Sequence, residues 1–247
     1  MEADNKYILS IVTINRNNAF NLPRTLTSLN KTKQFSEIEC IFVDGASIDN
    51  SVAIAKEFYN PENILSEPDT GIYHAMNKSL HKASGKYIIW INSGDELDQD
   101  LDIKKLLKEL CNSELDLLSG QTVMCNPDSG EIIGIFIPKI NKLPGHTLPH
   151  PSSFFKRSCL MEIGGYDQTL RIVGDRDLII RMFLLGKSIG VLDVIVAKFY
   201  EGGLSYSRAA MFENWRIDKK NGLISLFELN IKIIRFEFGR YRKKFFQ

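Results

Sequence analysis

Residues 39–59 read ECIFVDGASIDNSVAIAKEFY. Glu39–Val43 is a short apolar run with the look of a buried strand, and it stops at Asp44-Gly45. Ser47–Asp49 supplies capping side chains, and a helix then runs to about Tyr59. Strand, acidic turn and helix make one βα unit, and the same pattern recurs on both sides of it. Upstream, Tyr7–Ile14 (YILSIVTI) is a buried strand, Asn15–Phe20 a polar loop, and Leu22–Leu29 a helix that tolerates Pro23 in its first turn. Downstream, Asn63–Ser66 is a third strand and Ile72–Ser84 a helix. Lys86–Ile91 is a fourth strand ending in Asn92-Ser93-Gly94-Asp95, and Leu101–Leu110 is an amphipathic helix. This alternation predicts an α/β fold, with a mostly parallel central sheet flanked by helices on both faces.

The second half is less regular. Leu117–Met124 and Ile132–Ile137 read as strands joined by a turn at Asn126–Gly130. Lys139–Pro151 is a loop, Phe154–Lys156 a short strand, and Ser158–Ile163 a helical turn. Asp175–Leu185 is a helix with Gly186 as its C-terminal cap, and Ile189–Phe199 is a strand. Ala209–Phe246 reads as helix, broken at Asn221-Gly222. The expected organisation is one α/β domain over residues 1–206 and a helical, basic amphipathic extension over 207–247.

Composition narrows the function classes. The chain has 247 residues, 44% hydrophobic and 25% charged, with a net charge of +1. That is enough apolar material for one large core, and it is not the charge balance of a nucleic-acid binder. Cys40, Cys111, Cys125 and Cys159 are widely spaced, which reads as free thiols in a reducing compartment. Met1–Tyr7 carries no apolar signal core, and no apolar run approaches the ~20 residues of a membrane span. A cytoplasmic location is expected. Neither a dinucleotide-binding glycine fingerprint nor a P-loop is present.

The chemistry is expected at the carboxyl ends of the strands, where open α/β sheets bind their ligands. Polar clusters stand there: Thr13–Arg16, Asp44-Gly45, Ser66–Gly71 and Asn92–Asp95. Carboxylates facing one crevice repel each other unless positive charge joins them, and a divalent cation on a diphosphate is one solution. Each aspartate taken alone could equally be a helix cap.

Four stretches carry a family resemblance. Ile41–Ser47 followed by Asp49 resembles the V-D-[DG]-G-S-x-D element of family 2 glycosyltransferases with the GT-A fold. Residues 66–95, SEPDTGIYHAMNKSLHKASGKYIIWINSGD, resemble the colanic-acid and O-antigen biosynthesis branch of that family. Gly164-Gly165-Tyr166-Asp167 and then Gly174-Asp175-Arg176-Asp177 are similar to its G-G-[FY]-D element and the catalytic acid before a helix. Gly202-Gly203-Leu204-Ser205 is similar to a G-G-x-S element near the end of the domain.

The resemblance implies an inverting glycosyltransferase that draws on a nucleotide sugar, a UDP-linked hexose or N-acetylhexosamine before a GDP sugar. Thr13, Asn15, Arg16 and Asp44 would hold the nucleotide. Asp69, Asn77, Asn92 and Ser93 would line the nucleotide and donor sugar. Asp95 would bind Mn²⁺ or Mg²⁺, and Asp175 would be the catalytic base, while a structural role suits Asp177. The pattern departs from the family in two places. The metal element Asn92-Ser93-Gly94-Asp95 holds a single carboxylate, and His74 stands where the family has Asp. His150 could touch donor phosphate or metal, whereas His146 reads as solvent-facing. A binding subunit without turnover is the competing reading.

From Ile231 the tail IKIIRFEFGRYRKKFFQ carries six basic residues and one acid. A basic amphipathic helix suits an anionic inner-leaflet surface, and so a peripheral membrane location. Packing on the domain or on a second copy in a homodimer is the alternative. A lipid-linked saccharide acceptor, implied by the resemblance, would give membrane contact a purpose.

Overall fold

The computed structural model describes residues 6–202 and 207–245, with side chains described as far as 236. Three of the four residues in the Gly202–Ser205 element lie outside the described residues, as does the end of the basic tail. The chain divides into two compact units, Met1–Gly202 and Gly203–Gln247.

The first unit runs β1 (Tyr7–Asn15), α1 (Leu22–Leu29), β2 (Ile38–Asp44), α2 (Ser51–Lys56), β3 (Ile64–Ser66), α3 (Ile72–Lys82) and β4 (Gly85–Trp90). Then come β5 (Glu96–Leu97), α4 (Ile103–Asn112), β6 (Leu117–Cys125), β7 (Ile132–Phe136), β8 (Ser153–Lys156), α5 (Arg157–Glu162), α6 (Gly174–Leu184) and β9 (Ile189–Tyr200). The strands form one sheet in the order β3-β2-β1-β4-β8-β6-β9-β5, with β7 attached to β6. The α/β expectation holds. The N-terminal half, β3-β2-β1-β4, is wholly parallel. Beyond β4 the sheet is mixed: β8 runs antiparallel to β4 and β6, and β9 lies parallel to β6.

Side-chain alternation along the strands builds a core on each face. From β1, Val12 and Ile14 join Ile88 and Trp90 of β4 under α3, α5 and α6. Leu9 and Ile11 join Tyr87 and Ile89 on the other face, under α4. Helix α4 docks there because Ile103, Leu106, Leu107 and Leu110 fall at helical spacing and are all buried. Its first turn is capped by Asp102, which accepts from Lys105 N at 3.0 Å. Helix α6 ends at the expected glycine. Gly186 has φ +68, and the N–H groups of Gly186 and Lys187 return to Phe183 O and Met182 O in a Schellman motif.

The second unit contains α7 (Arg208–Lys220) and α8 (Leu226–Phe245), so the predicted break at Asn221-Gly222 is present. Phe212, Trp215 and Phe236 pack edge to face between the two helices. Arg208 lies over the rings of Phe212 and Phe236. Leu226, Phe227 and Ile234 stay exposed. Among the described residues no helix is long and apolar enough to cross a membrane.

Candidate active site

A cleft of about 390 Å³ opens at the carboxyl ends of the parallel strands. Three strand–helix junctions line it: Ile14–Asn18 after β1, Asp69–Ile72 before α3, and Asn92-Ser93 after β4. Five predicted residues therefore meet here, namely Asn15, Arg16, Asp69, Asn92 and Ser93.

Asp44 lies beside this cleft, fully buried. Its carboxylate accepts from Asn15 Nδ2 at 2.9 Å, Ser66 Oγ at 2.9 Å, Ser47 N at 2.8 Å and Ser47 Oγ. Four donors fill the acceptor capacity of a carboxylate. In this state Asp44 joins the ends of β1, β2 and β3. It also fixes the Asn15 amide, because only the NH₂ side can face a carboxylate. The carbonyls Asn15 Oδ1 and Asn92 Oδ1 are buried without a partner, on residues that line the same cleft. Such acceptors are rare, and each costs ~1–3 kcal/mol when unserved.

The loops after β1 and β2 are zipped together. Asn17 N donates to Ser47 Oγ at 2.7 Å, Ile48 N to Asn17 Oδ1 at 2.9 Å, and Ala19 N to Asp49 Oδ2 at 2.9 Å. Asn18 Nδ2 reaches across to Ser93 O at 2.9 Å. A Cβ at Gly45 would sit 2.3 Å from Asp69 Oδ2, so a larger residue there would push that carboxylate aside. Asp69 also accepts from Gly71 N at 2.9 Å and faces Arg16 at 3.6 Å. The Arg16 side chain is 61% exposed, so this ion pair adds little stability and leaves the guanidinium free to meet an anion.

The other predicted residues sit elsewhere. Thr13 is fully buried, and its hydroxyl accepts from Tyr59 at 3.1 Å; it packs inside the sheet layer and does not line the cleft. Asn77 is neither solvated nor in the cleft. It clasps the backbone of Tyr166, with Nδ2 donating to Tyr166 O at 2.9 Å and Oδ1 accepting from Tyr166 N at 2.8 Å. His150 is buried, stacked on Trp90 with centroids 5.7 Å apart, and its Nε2 lies 2.7 Å from Tyr166 Oη. Burial pushes its pKa down, with the Asp175 charge opposing. It is a neutral core imidazole in this state. His74 accepts from Thr70 N through Nδ1 at 3.1 Å, which closes the start of α3.

Asp175 lies in the first turn of α6, half-buried, with Tyr73 Oη 3.5 Å from its Oδ1. Behind it stand Tyr73, Tyr166, Trp90 and His150, packed ring to ring. Two residues on, Asp177 is fully buried and bound by Arg181 Nε at 2.8 Å. The same guanidinium donates to Ile163 O and Gly165 O, so this pair anchors the turn before α6.

Asp95 follows β4 and is almost fully buried. Tyr200 N approaches its Oδ1 at 3.4 Å. Burial pushes its pKa up to about 7, against the opposing pull of Tyr200 N and Arg24. Arg24 also stacks on Tyr200 and faces Glu96 at 3.9 Å. Among the described residues no three acidic, histidine or cysteine side chains gather as a metal cage. Asp95 does not line the cleft, and a cation held by this single carboxylate would take its other ligands from phosphate and water.

The sequence profile of the glycosyl transferase family 2 domain matches residues 10–162, which is most of the first unit. The chain belongs to glycosyl transferase family 2. Among curated relatives, an uncharacterized glycosyltransferase of Mycobacterium tuberculosis is 29% identical over 198 residues, covering 76% of this chain and 73% of that protein. A PGL/p-HBAD biosynthesis glycosyltransferase of the same species is 27% identical over 205 residues, covering 80% and 79%. Among solved structures, a Staphylococcus aureus TarS fragment in complex with UDP-GlcNAc superposes with a TM-score of 0.71 at 16% identity, covering 87% of this chain and 65% of that one. The Pyrobaculum calidifontis mannosyltransferase PcManGT, in complex with GDP-Man and Mn²⁺, gives 0.62 at 16%, covering 87% and 62%. The fold is therefore GT-A. This chain spans less than two thirds of either solved chain. Asp175 lies beyond the family match, which ends at residue 162.

Sequence reasoning missed Asn17, Asn18, Tyr73, Tyr166, Arg24 and Tyr200. The run of asparagines after β1 and the tyrosines inside the two family-like stretches were the available signals.

Proposed function

We propose that the protein is an inverting glycosyltransferase that moves a hexose or N-acetylhexosamine from a UDP-linked donor to a hydroxyl of a lipid-linked saccharide. The observation that carries this reading is the cleft in which Asn15, Arg16, Asp69, Asn92 and Ser93 meet from three strand ends. The UDP-GlcNAc held by the TarS fragment supports the choice of donor. The resemblance of residues 66–95 to the colanic-acid and O-antigen branch supports a role in bacterial surface polysaccharide synthesis. Residues 1–206 would carry the transferase domain and 207–247 an extension that meets the inner face of the cell membrane.

Residue roles follow from charge. Arg16 and the cleft asparagines receive the nucleotide, with Asp44 holding Asn15 in place. Asp95 would hold Mn²⁺ or Mg²⁺, which when bound would supply Lewis-acid stabilisation of the leaving diphosphate. Asp175 takes the proton of the acceptor hydroxyl as its oxygen bonds to the anomeric carbon and the bond from that carbon to the phosphate oxygen breaks, releasing UDP. A single displacement with one base inverts the anomeric configuration.

The test is a panel of UDP and GDP sugars scored for nucleotide release, with and without Mn²⁺, on the wild type, Asp95→Asn and Asp175→Asn. The wild type should turn over a UDP sugar. Asp95→Asn should lose the response to Mn²⁺. Asp175→Asn should lose transfer by ~10²–10⁴-fold while keeping UDP affinity. UDP binding without release of nucleotide from any donor would identify a binding subunit, and full activity in Asp175→Asn would remove it as the base.

A further inference from the structure

Tyr73 stands in the first turn of α3, two residues after Gly71 and one after Ile72, which both line the donor cleft. Its side chain reaches the start of α6. The hydroxyl donates to Ile172 O at 2.7 Å and lies 3.5 Å from Asp175 Oδ1. The ring lies flush on Gly174, where an added Cβ would stand 2.7–2.9 Å from three ring carbons. One side chain thus touches three of the four residues from 172 to 175. The ring is itself held, since it stacks on Tyr166 at 5.6 Å, and Tyr166 is clasped by Asn77 of the same helix.

We infer that Tyr73 is the positioning residue of Asp175, and that it connects the donor-binding loop 69–72 to the base. The inference rests on the reading of Asp175 as the base. A hydroxyl has one proton, and the distances give it to Ile172 O. Tyr73 therefore acts by fixing the backbone that carries Asp175, with the longer contact to Oδ1 limiting where the carboxylate swings. The geometry also explains why glycine precedes Asp175, because any side chain at 174 would push the ring away. Loop 69–72 and the base are then two ends of one rigid piece, so the acceptor proton and the donor phosphates are addressed from a shared frame.

Two variants test this, each measured for kcat, donor KM, UDP affinity by calorimetry and melting temperature. Tyr73→Phe keeps the ring and removes the bond to Ile172. Gly174→Ala keeps the hydroxyl and displaces the ring. Both should lower kcat about ten- to a hundredfold, the cost of misplacing a reacting group by up to an ångström, with donor KM and UDP affinity within about twofold of wild type. The inference is overturned if Tyr73→Phe keeps kcat within about twofold. It is equally overturned if kcat, donor affinity and melting temperature fall together, since that is the signature of a plain core residue. Asp175→Asn is run in parallel. Transfer by that variant sinks the base assignment and this inference with it, whereas an inactive Asp175→Asn beside a normal Tyr73→Phe sinks the positioning role alone.

Discussion

His150 shows what a single buried side chain contributes. It is surrounded by Trp90, Phe155 and Tyr166, and among the described residues the charge coupled to it is that of Asp175. Burial lowers its folded pKa below the unfolded value. The unfolded chain therefore binds a proton that the native state refuses, and the slope of stability with pH is positive in that window. Its contribution is present above pH ~6.5 and is lost as pH falls through the lower folded value. Asp95, raised to about 7, contributes with the opposite sign in the same region, so the test is the difference: the melting temperature of the wild type should fall relative to that of His150→Gln as pH drops below ~6.5. An unchanged slope in the variant would mean that His150 is not the group responsible. Thr13 and Asn77 make a related point. Each is a polar residue in a stretch rich in functional side chains, and each is spent on structure: Thr13 on Tyr59, Asn77 on Tyr166.

At the scale of elements, the turn after α5 contains one especially tight contact. Gly165 has φ +65, and a Cβ there would lie 2.5 Å from Asn77 Oδ1. Gly165→Ala should cost ~1–3 kcal/mol from backbone strain and the lost clasp. In a chain of this size that lowers the melting temperature by about 2–4 °C per kcal/mol. Calorimetric scans of the variant and of Asn77→Ala should show similar losses, and a full-sized loss in one beside none in the other would break the link. Much at this scale was legible beforehand. The first four strands and their helices are readable because apolar runs end in polar turns, and both elements and polar clusters follow from local pattern. The mixed half of the sheet was not readable, because strand order depends on pairings over long separations. The two-residue β5 is the extreme case, since Glu96 and Leu97 become a strand only by pairing with Lys198 and Ala197. The clefts and clasps share this limit. Asn15, Arg16, Asp69, Asn92 and Ser93 sit at strand ends and were visible as a set. The partners of Asp44 and Asn77 were not, because hydrogen bonds to residues 22, 29 and 89 positions away leave no mark on sequence.

For the whole molecule, the expected membrane contact rests on the basic tail. Replacing Arg240, Arg242, Lys243 and Lys244 by glutamine removes four of the six basic residues after Ile231. At up to ~1 kcal/mol each near an anionic surface, the change should weaken cosedimentation with phosphatidylglycerol vesicles by at least tenfold. UDP binding should be untouched. Vesicle binding that ignores both the substitutions and salt would point instead to apolar contacts such as Leu226 and Phe227, which are exposed.

The ties that complete the proposed site span the chain. Asn77 to Tyr166, Tyr73 to Asp175 and Tyr200 to Asp95 join residues 89, 102 and 105 positions apart. β1 to β4 end at Trp90, so every residue of the four parallel strands is synthesised before Tyr166, Asp175 and Tyr200. Long-range closure is slow relative to local structure formation. The strand ends that line the cleft therefore precede, in order of synthesis, the residues that complete the ties of Asp175 and Asp95. A fragment ending after Ser93 would carry all the residues that line the cleft and could form none of the three ties.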